Sequence, residues 1–383
     1  GVQIVPPFDA EIAAAIEATP PADQVPMNDD LVEAVDPRDE YVAEAVKLAS
    51  GDEAARADLR IVLTAMHGVG ASMTARVLAE AGFANVSLVA AQAEPDPDFP
   101  TVPFPNPEEA GALDMAIEQA RAEGADLIIA VDPDADRCAL AVPDPGAEAG
   151  WSPLSGDQIG CLLGEFLAAR GLEGSLANSI VSSRLLARIA EAHGLVHHTT
   201  LTGFKWIARA PKLAFGYEEA IGFCPNPQIA RDKDGIASSV VAASLFAALK
   251  VEGRTAWDEL DRLAHVHGLH VTGPLTFRVE EIEQIATGMA RLRAQPPSVL
   301  AGSPVVEVSD LSEGYQGLPP TDGVLVLTKA GDRVIARPSG TEPKLKCYLE
   351  VILPAPEGEP VPWDEAYERL ERIKREFGQI IGL

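Results

Sequence analysis

Three aspartates at alternate positions are the clearest chemical signal in this sequence. Asp132, Asp134 and Asp136 directly follow the apolar run 127–131, which is typical of a strand covered on both faces. Ligand sites in α/β sheets gather at the carboxyl ends of strands, and alternate carboxylates in a turn can converge on a hard cation such as Mg²⁺. A solvated acidic turn is the alternative, and the motif alone does not decide between the two.

A second segment, 337–346, has the composition of an anion site. Arg337 carries a planar guanidinium whose donor geometry suits phosphate. Ser339, Gly340 and Thr341 offer hydroxyls and closely approaching backbone N–H groups, which together can form an anion-binding nest. Two lysines complete the segment. In so acidic a chain, these cations favour a phosphate site over an ordinary Pro/Gly turn with a basic flank.

Two shorter segments carry weaker signals. Glu218 lies in the glycine-bounded segment 216–222, where its carboxylate can accept hydrogen bonds from vicinal sugar hydroxyls, although a plain surface turn has the same composition. Lys233 precedes a helix that is predicted to start at Gly235 and to be capped by Asp234 or Asp232. Lys233 can contact phosphate or transfer a proton there, and a solvated lysine is the alternative.

Other metal motifs are not supported. Counted from Asp132, the sixth and twelfth positions hold Arg137 and Pro143, whereas an EF-hand needs glycine and glutamate there. Three histidines invite a zinc interpretation, but no other ligand-like cluster accompanies them, and ordinary loop histidines are favoured. They are His265, His267 and His270.

Charge and composition exclude several classes of function. The chain has 383 residues, of which 47% are hydrophobic, and its 30 Lys+Arg against 58 Asp+Glu give a net charge of −28. This balance argues against binding nucleic acid or an anionic membrane surface, and an anionic ligand would need a local basic pocket. The four cysteines form no C-x-x-C pair, and neither a signal peptide nor an apolar run of ~20 residues is visible. A cytoplasmic location is therefore predicted.

The elements that must position these side chains alternate between strand and helix. A strand is predicted at 59–65, a helix at 71–81 and a strand at 127–131, and the Pro/Gly-rich stretch 143–150 is predicted to be a hinge. The predicted fold class is α/β and multidomain, with successive related α/β domains of mixed sheets followed by a smaller α+β C-terminal domain. The predicted domains are 1–36, 37–149, 150–270 and 271–383.

The ordered set of motifs resembles the α-D-phosphohexomutase superfamily. The loops around Asp132, Glu218 and Arg337 resemble its metal-binding, sugar-binding and phosphate-binding loops, in the same order along the chain. Connecting stretches match as well, and the resemblance covers essentially the whole chain. These stretches are 67–70, 95–102, 105–108, 202–206 and 233–236.

The resemblance implies a role for each matching position. Asp132, Asp134 and Asp136 would hold Mg²⁺, Arg137 would support the catalytic phosphate, and Lys233 would contact the substrate or act in proton transfer. The residues implied in substrate binding are Glu218 for sugar hydroxyls with Thr202, Gly203 and Ala220 nearby, and Arg337, Ser339, Gly340 and Thr341 for the phosphate that is not transferred. The family often has serine where this chain has Ala220, and the form found here resembles the branch of broad-specificity phosphoglucomutases and phosphopentomutases.

The implied activity is that of an isomerase of carbohydrate metabolism. A phosphoryl group would move between C1 and C6 of a hexose, or C1 and C5 of a pentose, through a bisphosphate intermediate and an active-site phosphoserine. The implied cofactors are Mg²⁺ and a sugar bisphosphate activator, and the implied partner is a phosphorylated sugar, with no nucleic acid and no membrane.

The family's nucleophilic serine motif, T-x-S-H-N-P, has no counterpart in these 383 residues. Segment 1–36 resembles the tail of the domain that would carry it. The chain alone is therefore expected to be inactive and to expose apolar surface, through which it could self-associate. The alternatives are a non-catalytic paralogue that binds phosphosugars and, less favoured, a metal-dependent phosphatase.

Overall fold

Helices and strands alternate along the chain in the computed structural model, which describes residues 2–339 and 343–382. The helices are α1 (Phe8–Ala18), α2 (Arg38–Val46), α3 (Glu53–Asp58), α4 (Ala71–Glu80), α5 (Asp114–Glu123), α6 (Gly156–Ala168), α7 (Leu185–Ala192), α8 (Phe204–Ile207), α9 (Gly235–Val251), α10 (Ala256–His267), α11 (Ile282–Ala294) and α12 (Trp363–Ile381). The strands are β1 (Arg60–Thr64), β2 (Asn85–Leu88), β3 (Leu127–Val131), β4 (Cys138–Pro143), β5 (Trp151–Pro153), β6 (Ser175–Ser179), β7 (Val196–Thr200), β8 (Leu213–Glu218), β9 (Gly222–Cys224), β10 (Leu269–Arg278), β11 (Val299–Leu300), β12 (Ser303–Asp310), β13 (Val324–Thr328), β14 (Arg333–Pro338) and β15 (Lys344–Leu353).

The chain divides into two units that are not continuous in sequence. The first unit comprises the N-terminal part up to Pro153, together with Gly203–Gly216 and Gly222–Ala248. The second comprises Leu154–Thr202, Tyr217–Ile221 and the chain from Leu249 onward. The four domains inferred from the sequence remain a prediction.

The first unit contains a five-stranded sheet in the order β2-β1-β3-β4-β5. Strand β1 pairs in parallel with both β2 and β3, whereas β4 and β5 continue the sheet in antiparallel fashion. Every residue of β3 is buried, as its apolar sequence predicts. Because β1 and β3 are parallel neighbours, the segments 65–70 and 132–137 follow them at the same edge of the sheet.

The second unit contains the six-stranded antiparallel sheet β10-β15-β14-β13-β12-β11. Helix α12 packs on β10 and β15. Its apolar side chains recur every three or four residues and form one buried stripe, which is the reason this otherwise charged segment is helical. The buried residues of this stripe are Ala366, Leu370, Ile373, Phe377 and Ile381.

The middle of the chain forms a four-stranded sheet in the order β7-β6-β8-β9. Strand β8 passes from the first unit, at Gly216, into the second, at Tyr217. In the second unit, β6 and β7 pair in parallel, and α6 packs against α7. The end of β6 leads into a buried loop, 180–184, before α7 begins.

The predicted fold class is confirmed, and so are the strand at 127–131 and the helix that begins at residue 71. The hinge predicted at 143–150 is wrong. This stretch is the turn of a hairpin, since β4 and β5 on either side of it pair with each other. The Asp144 carboxylate holds the turn by accepting hydrogen bonds from Gly146 N at 2.9 Å and Ser152 Oγ at 2.6 Å.

The N-terminal segment carries exposed apolar side chains. Helix α1 has no buried residue, and Phe8, Ile12 and Ile16 along it are all exposed. Self-association through this surface remains a prediction.

Within the described part of the chain, no single helix is long and apolar enough to cross a membrane. Helices α9 and α10 pass that test only when they are taken together as a bent pair, on length and composition alone.

Candidate active site

The three aspartates converge in the structure. Asp132 is buried directly after β3, Asp136 is half-buried and Asp134 is exposed. One carboxylate oxygen from each lies within 4.8 Å of the other two. Three anions this close repel one another unless positive charge lies among them. Carboxylate oxygens are the ligands that hard divalent cations take in proteins, so the donor set fits Mg²⁺.

Two glycines from the loop after β1 pack against the aspartate loop, 132–137. A Cβ atom on Gly68 would lie 2.4 Å from Cα of Pro133, and one on Gly70 would lie 2.6 Å from Cβ of Ala135. Both distances are shorter than real Cβ contacts. The motif at 67–70 therefore lets two adjacent loops approach closely, which is a structural reason for its glycines.

A third glycine holds the other side of the same loop. Gly235 donates a backbone hydrogen bond of 3.1 Å to the carbonyl of Ala135, and a Cβ atom at Gly235 would lie 2.3 Å from the carbonyl oxygen of Arg137. Ala135 itself has a left-handed φ of 60°, a conformation that non-glycine residues seldom adopt. The start of α9 therefore fixes the turn that gathers the three carboxylates.

Arg137 neutralises the most buried of these carboxylates. Its backbone N–H donates to Asp132 Oδ1 at 2.9 Å, and its Nε donates to Asp132 Oδ2 at 2.7 Å. Burial raises the pKa of the Asp132 carboxyl, and these hydrogen bonds from Arg137 oppose the rise. The guanidinium also donates to Asn106 Oδ1 at 3.4 Å, which ties the 105–108 motif to the site.

Lys233 supplies the second positive charge. Its Nζ lies 2.9 Å from Asp136 Oδ2 and 3.7 Å from Asp232 Oδ1. The side chain is only 16% exposed, and the ammonium lies 5.6 Å from the ring centroid of Phe204, within reach of a cation–π interaction. A lysine this enclosed is not an ordinary solvated one.

Asp234 caps the helix that follows Lys233. Its Oδ1 accepts a hydrogen bond of 2.9 Å from Ala237 N and one of 2.7 Å from the hydroxyl of Tyr41. Of the two caps left open by the sequence, Asp234 is therefore the one the structure supports. This buried cap fixes the direction in which the chain enters α9, and so the position of Lys233 beside Asp136.

The sugar-loop candidate, 217–221, comprises the last two residues of β8 and the turn that follows. The Tyr217 hydroxyl donates 2.8 Å to Asp157 Oδ1, and Glu219 Oε2 accepts hydrogen bonds of 3.1 Å from both Ser179 Oγ and Ser182 Oγ. Glu218 is half-buried in the same loop. The loop is thus anchored through the residues on either side of Glu218.

The other three predicted sugar-site residues are all half-buried. Ala220 is half-buried in the sugar loop. Thr202 and Gly203 are half-buried between β7 and α8, with Thr202 in the second unit and Gly203 in the first. Gly203 has a φ of 100°, which favours glycine, and its carbonyl accepts the hydrogen bond from Trp206 N that opens α8.

The phosphate-loop candidate lies at the end of the β14–β15 hairpin. Arg337 on β14 is directly opposite Lys346 on β15, and both are half-buried. Like charges in this arrangement are unfavourable unless an anion lies between them. Ser339 N donates a hydrogen bond of 2.9 Å to the carbonyl of Lys344. Gly340 and Thr341 lie outside the described residues.

Tyr348, two residues along β15 from Lys346, was missed by sequence reasoning. Burial raises the pKa of its hydroxyl, and the nearby carboxylates of Glu219 and Glu218 raise it further, whereas Arg337 lowers it. The phenol is therefore within electrostatic reach of both the sugar loop and the phosphate loop.

The structure thus groups the predicted residues in two sets. The first unit brings together Asp132, Asp134, Asp136, Arg137 and Lys233. The second unit contains the sugar loop and the phosphate hairpin. Sequence reasoning also missed Ser179 and Ser182, although these polar residues lie at and just after the end of a buried strand, the same signal that drew attention to the aspartates.

The histidines make other contacts. His265 Nδ1 lies 3.1 Å from the carbonyl oxygen of Ala355, and His270 Nδ1 lies 3.0 Å from that of Gly268. Within the described residues, the aspartate trio is the only group of three metal-ligating side chains that converges.

Three family models match successive parts of the chain. The model described as phosphoglucomutase/phosphomannomutase, alpha/beta/alpha domain II matches residues 39–146, domain III matches 155–265, and the C-terminal domain matches 248–359. Together they include all three candidate loops.

Relatives and solved structures agree with this assignment. A Haemophilus influenzae protein named "Probable phosphomannomutase" is 42% identical over 361 residues, which cover 91% of this chain and 72% of the relative. A human protein named phosphopentomutase is 28% identical over 426 residues, which cover 100% of this chain and 68% of the relative. The chain therefore spans about two thirds to three quarters of these relatives' lengths.

The crystal structure of parafusin, a phosphoglucomutase from Paramecium, superimposes with a TM-score of 0.66 at 19% identity, covering 92% of this chain and 64% of that one. At this identity the likeness concerns the fold. With the three family models and the bacterial relative, it shows that the chain belongs to the phosphoglucomutase/phosphomannomutase family of the α-D-phosphohexomutases.

Proposed function

We propose that this chain is the metal-, sugar- and phosphate-binding part of a phosphosugar mutase, an isomerase. The observation that carries the proposal is the convergence of the three aspartates, with Arg137 and Lys233 paired to two of them. A solvated acidic turn does not require two enclosed cations or three glycines to shape it. Family membership supplies the reaction class, since the similar proteins bear the names of phosphosugar mutases.

In this proposal Asp132, Asp134 and Asp136 hold Mg²⁺, which when bound supplies positive charge to offset the phosphoryl oxygens during transfer. Arg137 favours the ionised form of Asp132 and holds it in place, and its guanidinium presents positive charge to the transferring phosphate. Lys233 holds a proton at Nζ that it can donate to a sugar oxygen, and the neutral amine that remains can later take a proton from a sugar hydroxyl.

The second unit would supply substrate recognition. Glu218 accepts hydrogen bonds from sugar hydroxyls, next to Ala220. Arg337 and Lys346 flank the phosphate that is not transferred, and Ser339, Gly340 and Thr341 donate to it. The opposed cations on the hairpin support this assignment, because a bound dianion would relieve their repulsion.

The proposed reaction conserves every phosphoryl group. A phosphoserine passes its phosphoryl group to the free hydroxyl of a sugar monophosphate. The resulting bisphosphate reorients in the site, and its other phosphoryl group is transferred to the serine. Hexose (C1 to C6) and pentose (C1 to C5) substrates both fit this scheme. A sugar bisphosphate activator would restore the phosphoserine when the intermediate escapes.

The 383 residues contain no T-x-S-H-N-P motif, in which the family carries this serine. The 383-residue chain alone is therefore proposed to bind substrate without turning it over. Conversion of glucose 1-phosphate to glucose 6-phosphate by the purified chain would contradict that statement.

Calorimetry with this chain tests the binding function. Glucose 1-phosphate, ribose 1-phosphate and inorganic phosphate are titrated with and without Mg²⁺. Glu218→Ala is expected to weaken the sugar phosphates and spare inorganic phosphate, and Arg337→Ala to weaken all three. Glu368→Ala and Arg375→Ala, which remove exposed charges from α12, are the matched controls. A folded parent chain that binds none of the ligands would contradict the proposal, and phosphate release that is lost in Asp132→Asn would indicate a phosphatase instead.

A further inference from the structure

The loop at 180–184, between β6 and α7, is enclosed by the second unit. Its residues are buried except Arg184, which is half-buried. A buried loop must find partners for its backbone polar groups within the protein. Polar groups of the 180–184 loop, in its backbone and in its side chains, are bound by side chains from α6, the sugar loop, β14 and β15, and three of these side chains are carboxylates.

The sugar loop holds the loop from one side. Glu219 accepts hydrogen bonds from Ser179 Oγ and Ser182 Oγ, and these two hydroxyls lie 2.8 Å from each other. Asp157 Oδ1 accepts a hydrogen bond of 2.6 Å from Ser183 N. The same oxygen accepts a hydrogen bond from the hydroxyl of Tyr217, the residue before Glu218. The side chains of the two residues that flank Glu218 are therefore tied to the 180–184 loop, Glu219 directly and Tyr217 through Asp157.

The phosphate hairpin holds the same loop from β14 and β15. Glu350 on β15 accepts hydrogen bonds from Ser183 Oγ at 2.9 Å, Arg184 N at 2.8 Å and Arg184 Nε at 2.6 Å. Arg333 on β14 donates to the carbonyls of Ile180, at 2.9 Å, and Ser182, at 2.6 Å. Glu350 is 0% exposed and Arg333 is 7% exposed, so this attachment is desolvated.

The hairpin connects this attachment rigidly to the phosphate loop. Arg333 pairs with Glu350, Ile335 with Tyr348, and Arg337 with Lys346, in three successive alternate rungs on one face of the two strands. Alternate residues of a strand are about 6.8 Å apart, so the basic rung lies about 14 Å along the strand from the ionic one. Between them Tyr348 and Ile335 pack with Ile180 and the hydrophobic residues around it.

We propose, on the basis of the mutase function above, that the 180–184 loop sets the spacing between the sugar loop and the phosphate loop and so selects between hexose and pentose phosphates. A hexose 6-phosphate carries its hydroxyls on a six-membered ring and a pentose 5-phosphate carries them on a five-membered ring, so the two sugars place their hydroxyls differently relative to the terminal phosphate. A stiff spacer accepts one of these arrangements better than the other, because a misplacement of about 1 Å can cost about a hundredfold. A softened spacer accepts both. Glu219 and Glu350 are positioning residues in this arrangement.

The test compares the affinities of the 383-residue chain for glucose 6-phosphate and ribose 5-phosphate, with inorganic phosphate as a probe that needs only the phosphate loop. Ser179→Ala/Ser182→Ala releases Glu219, and Ser183→Ala weakens the Glu350 attachment. Ser303→Ala is the matched control, because Ser303 is also buried and hydrogen-bonded, through Oγ to Ala330 N, but belongs to β12. Ser182→Thr keeps a hydroxyl and tests rescue.

The parent chain and Ser303→Ala are expected to prefer one sugar phosphate by tenfold or more. The loop variants should reduce that ratio to about threefold or less, while the affinity for inorganic phosphate changes by less than about threefold. Ser182→Thr, which keeps the hydroxyl, should have the ratio of the parent chain. Equal affinity of the parent for both sugars, or an unchanged ratio in folded loop variants, would overturn the inference. A folded parent that binds neither sugar phosphate would instead overturn the mutase function itself. If the double variant does not fold, Ser183→Ala decides the question alone.

Discussion

The aspartate loop at 132–137 and the loop at 180–184 are built alike and used differently. Each follows the carboxyl end of a buried strand, and each gathers three carboxylates. In the first, the carboxylates belong to the loop itself and range from buried to exposed. In the second they come from other elements, as Asp157, Glu219 and Glu350, and they accept hydrogen bonds from the loop. Only the first set of carboxylates therefore belongs to one turn and converges in a way that could hold a metal ion.

Two carboxyls that hold the 180–184 loop have pKa values shifted in opposite directions. Burial raises the pKa of Glu350, but Arg333 and Arg184 outweigh it and lower the value to about 2. Burial likewise raises the pKa of Asp157, to about 6, although the hydrogen bond from Ser183 N opposes the rise. The carboxylates of the second region are enclosed among their hydrogen-bond donors, whereas the aspartate loop has one exposed and one half-buried carboxylate.

The strongest test of a closed network is to remove one charge from it. Glu350→Gln removes the buried carboxylate that compensates the charges of Arg184 and Arg333, so the free energy of unfolding should fall by about 3–5 kcal/mol. Urea denaturation monitored by hydrogen exchange in β14 and β15 measures the change. Glu252→Gln, which removes a half-exposed ion pair with Arg254, should cost less than about 1 kcal/mol. Similar losses in both variants would mean that the buried network is no more stabilising than a surface pair.

The pH dependence of stability should separate Asp157 from Glu350. The pKa of Asp157 is raised from 3.8 to about 6 in the folded protein, so its contribution is complete below about pH 4 and is lost as the pH rises through about 6. Asp157→Asn, which keeps an acceptor oxygen, should remove this loss, up to about 3 kcal/mol. Glu350 has the opposite sign, since its contribution is lost only as the pH falls towards about 2.

Denaturation curves between pH 4 and 7 provide the measurement. The stability of the parent chain relative to Asp157→Asn should fall across this range. A parallel pair of curves would show that Asp157 does not titrate there.

These contrasts explain what could be predicted from the sequence. The aspartate loop was predictable because its three aspartates lie within five residues of one another, directly after the apolar run 127–131. The anchoring of Glu219 was not, because Ser179 and Ser182 are some 40 residues away in the chain and only the packing of β6 beside β8 brings them near. Local spacing encodes local sites, while a network of buried partners depends on the fold.

The same limit applies to the elements. Strand β3 is an unbroken apolar run, and helix α12 has apolar residues at helical spacing, so both can be identified from the sequence. The short strands β4 and β5 were missed because the Pro/Gly-rich stretch between them resembles a linker. Its turn is fixed by the Asp144 side chain, whose hydrogen bond with Ser152 joins residues eight apart.

Gly235 tests whether the aspartate loop depends on its packing. In Gly235→Ala the new Cβ atom would meet the carbonyl oxygens of Arg137 and Ala135 at 2.3 and 2.7 Å, so the loop must move. Overpacking of this kind costs about 1–3 kcal/mol, and Mg²⁺ affinity, measured by calorimetry, should fall with it. Gly378→Ala is the matched control, since its Cβ atom would have no neighbour nearer than 3.8 Å and alanine favours a helix. Unchanged Mg²⁺ affinity in Gly235→Ala would show that the loop tolerates displacement.

The smallest expected effect concerns Lys233, which pairs with the aspartate loop. Lys233 Nζ lies 2.9 Å from Asp136 Oδ2, so a cation that binds the aspartates competes with the ammonium for that carboxylate. Lys233→Met removes the competitor and the repulsion between like charges, and Mg²⁺ affinity should rise by about threefold, the range expected for a partly exposed pair. A purely supporting lysine predicts the opposite sign, because its loss would disorder Asp136 and weaken the metal. Mg²⁺ calorimetry on Lys233→Met, with Lys212→Met as an exposed-lysine control, distinguishes the two, and a fall in affinity would mean that the aspartate loop, like the 180–184 loop, needs its cationic partner to keep its shape.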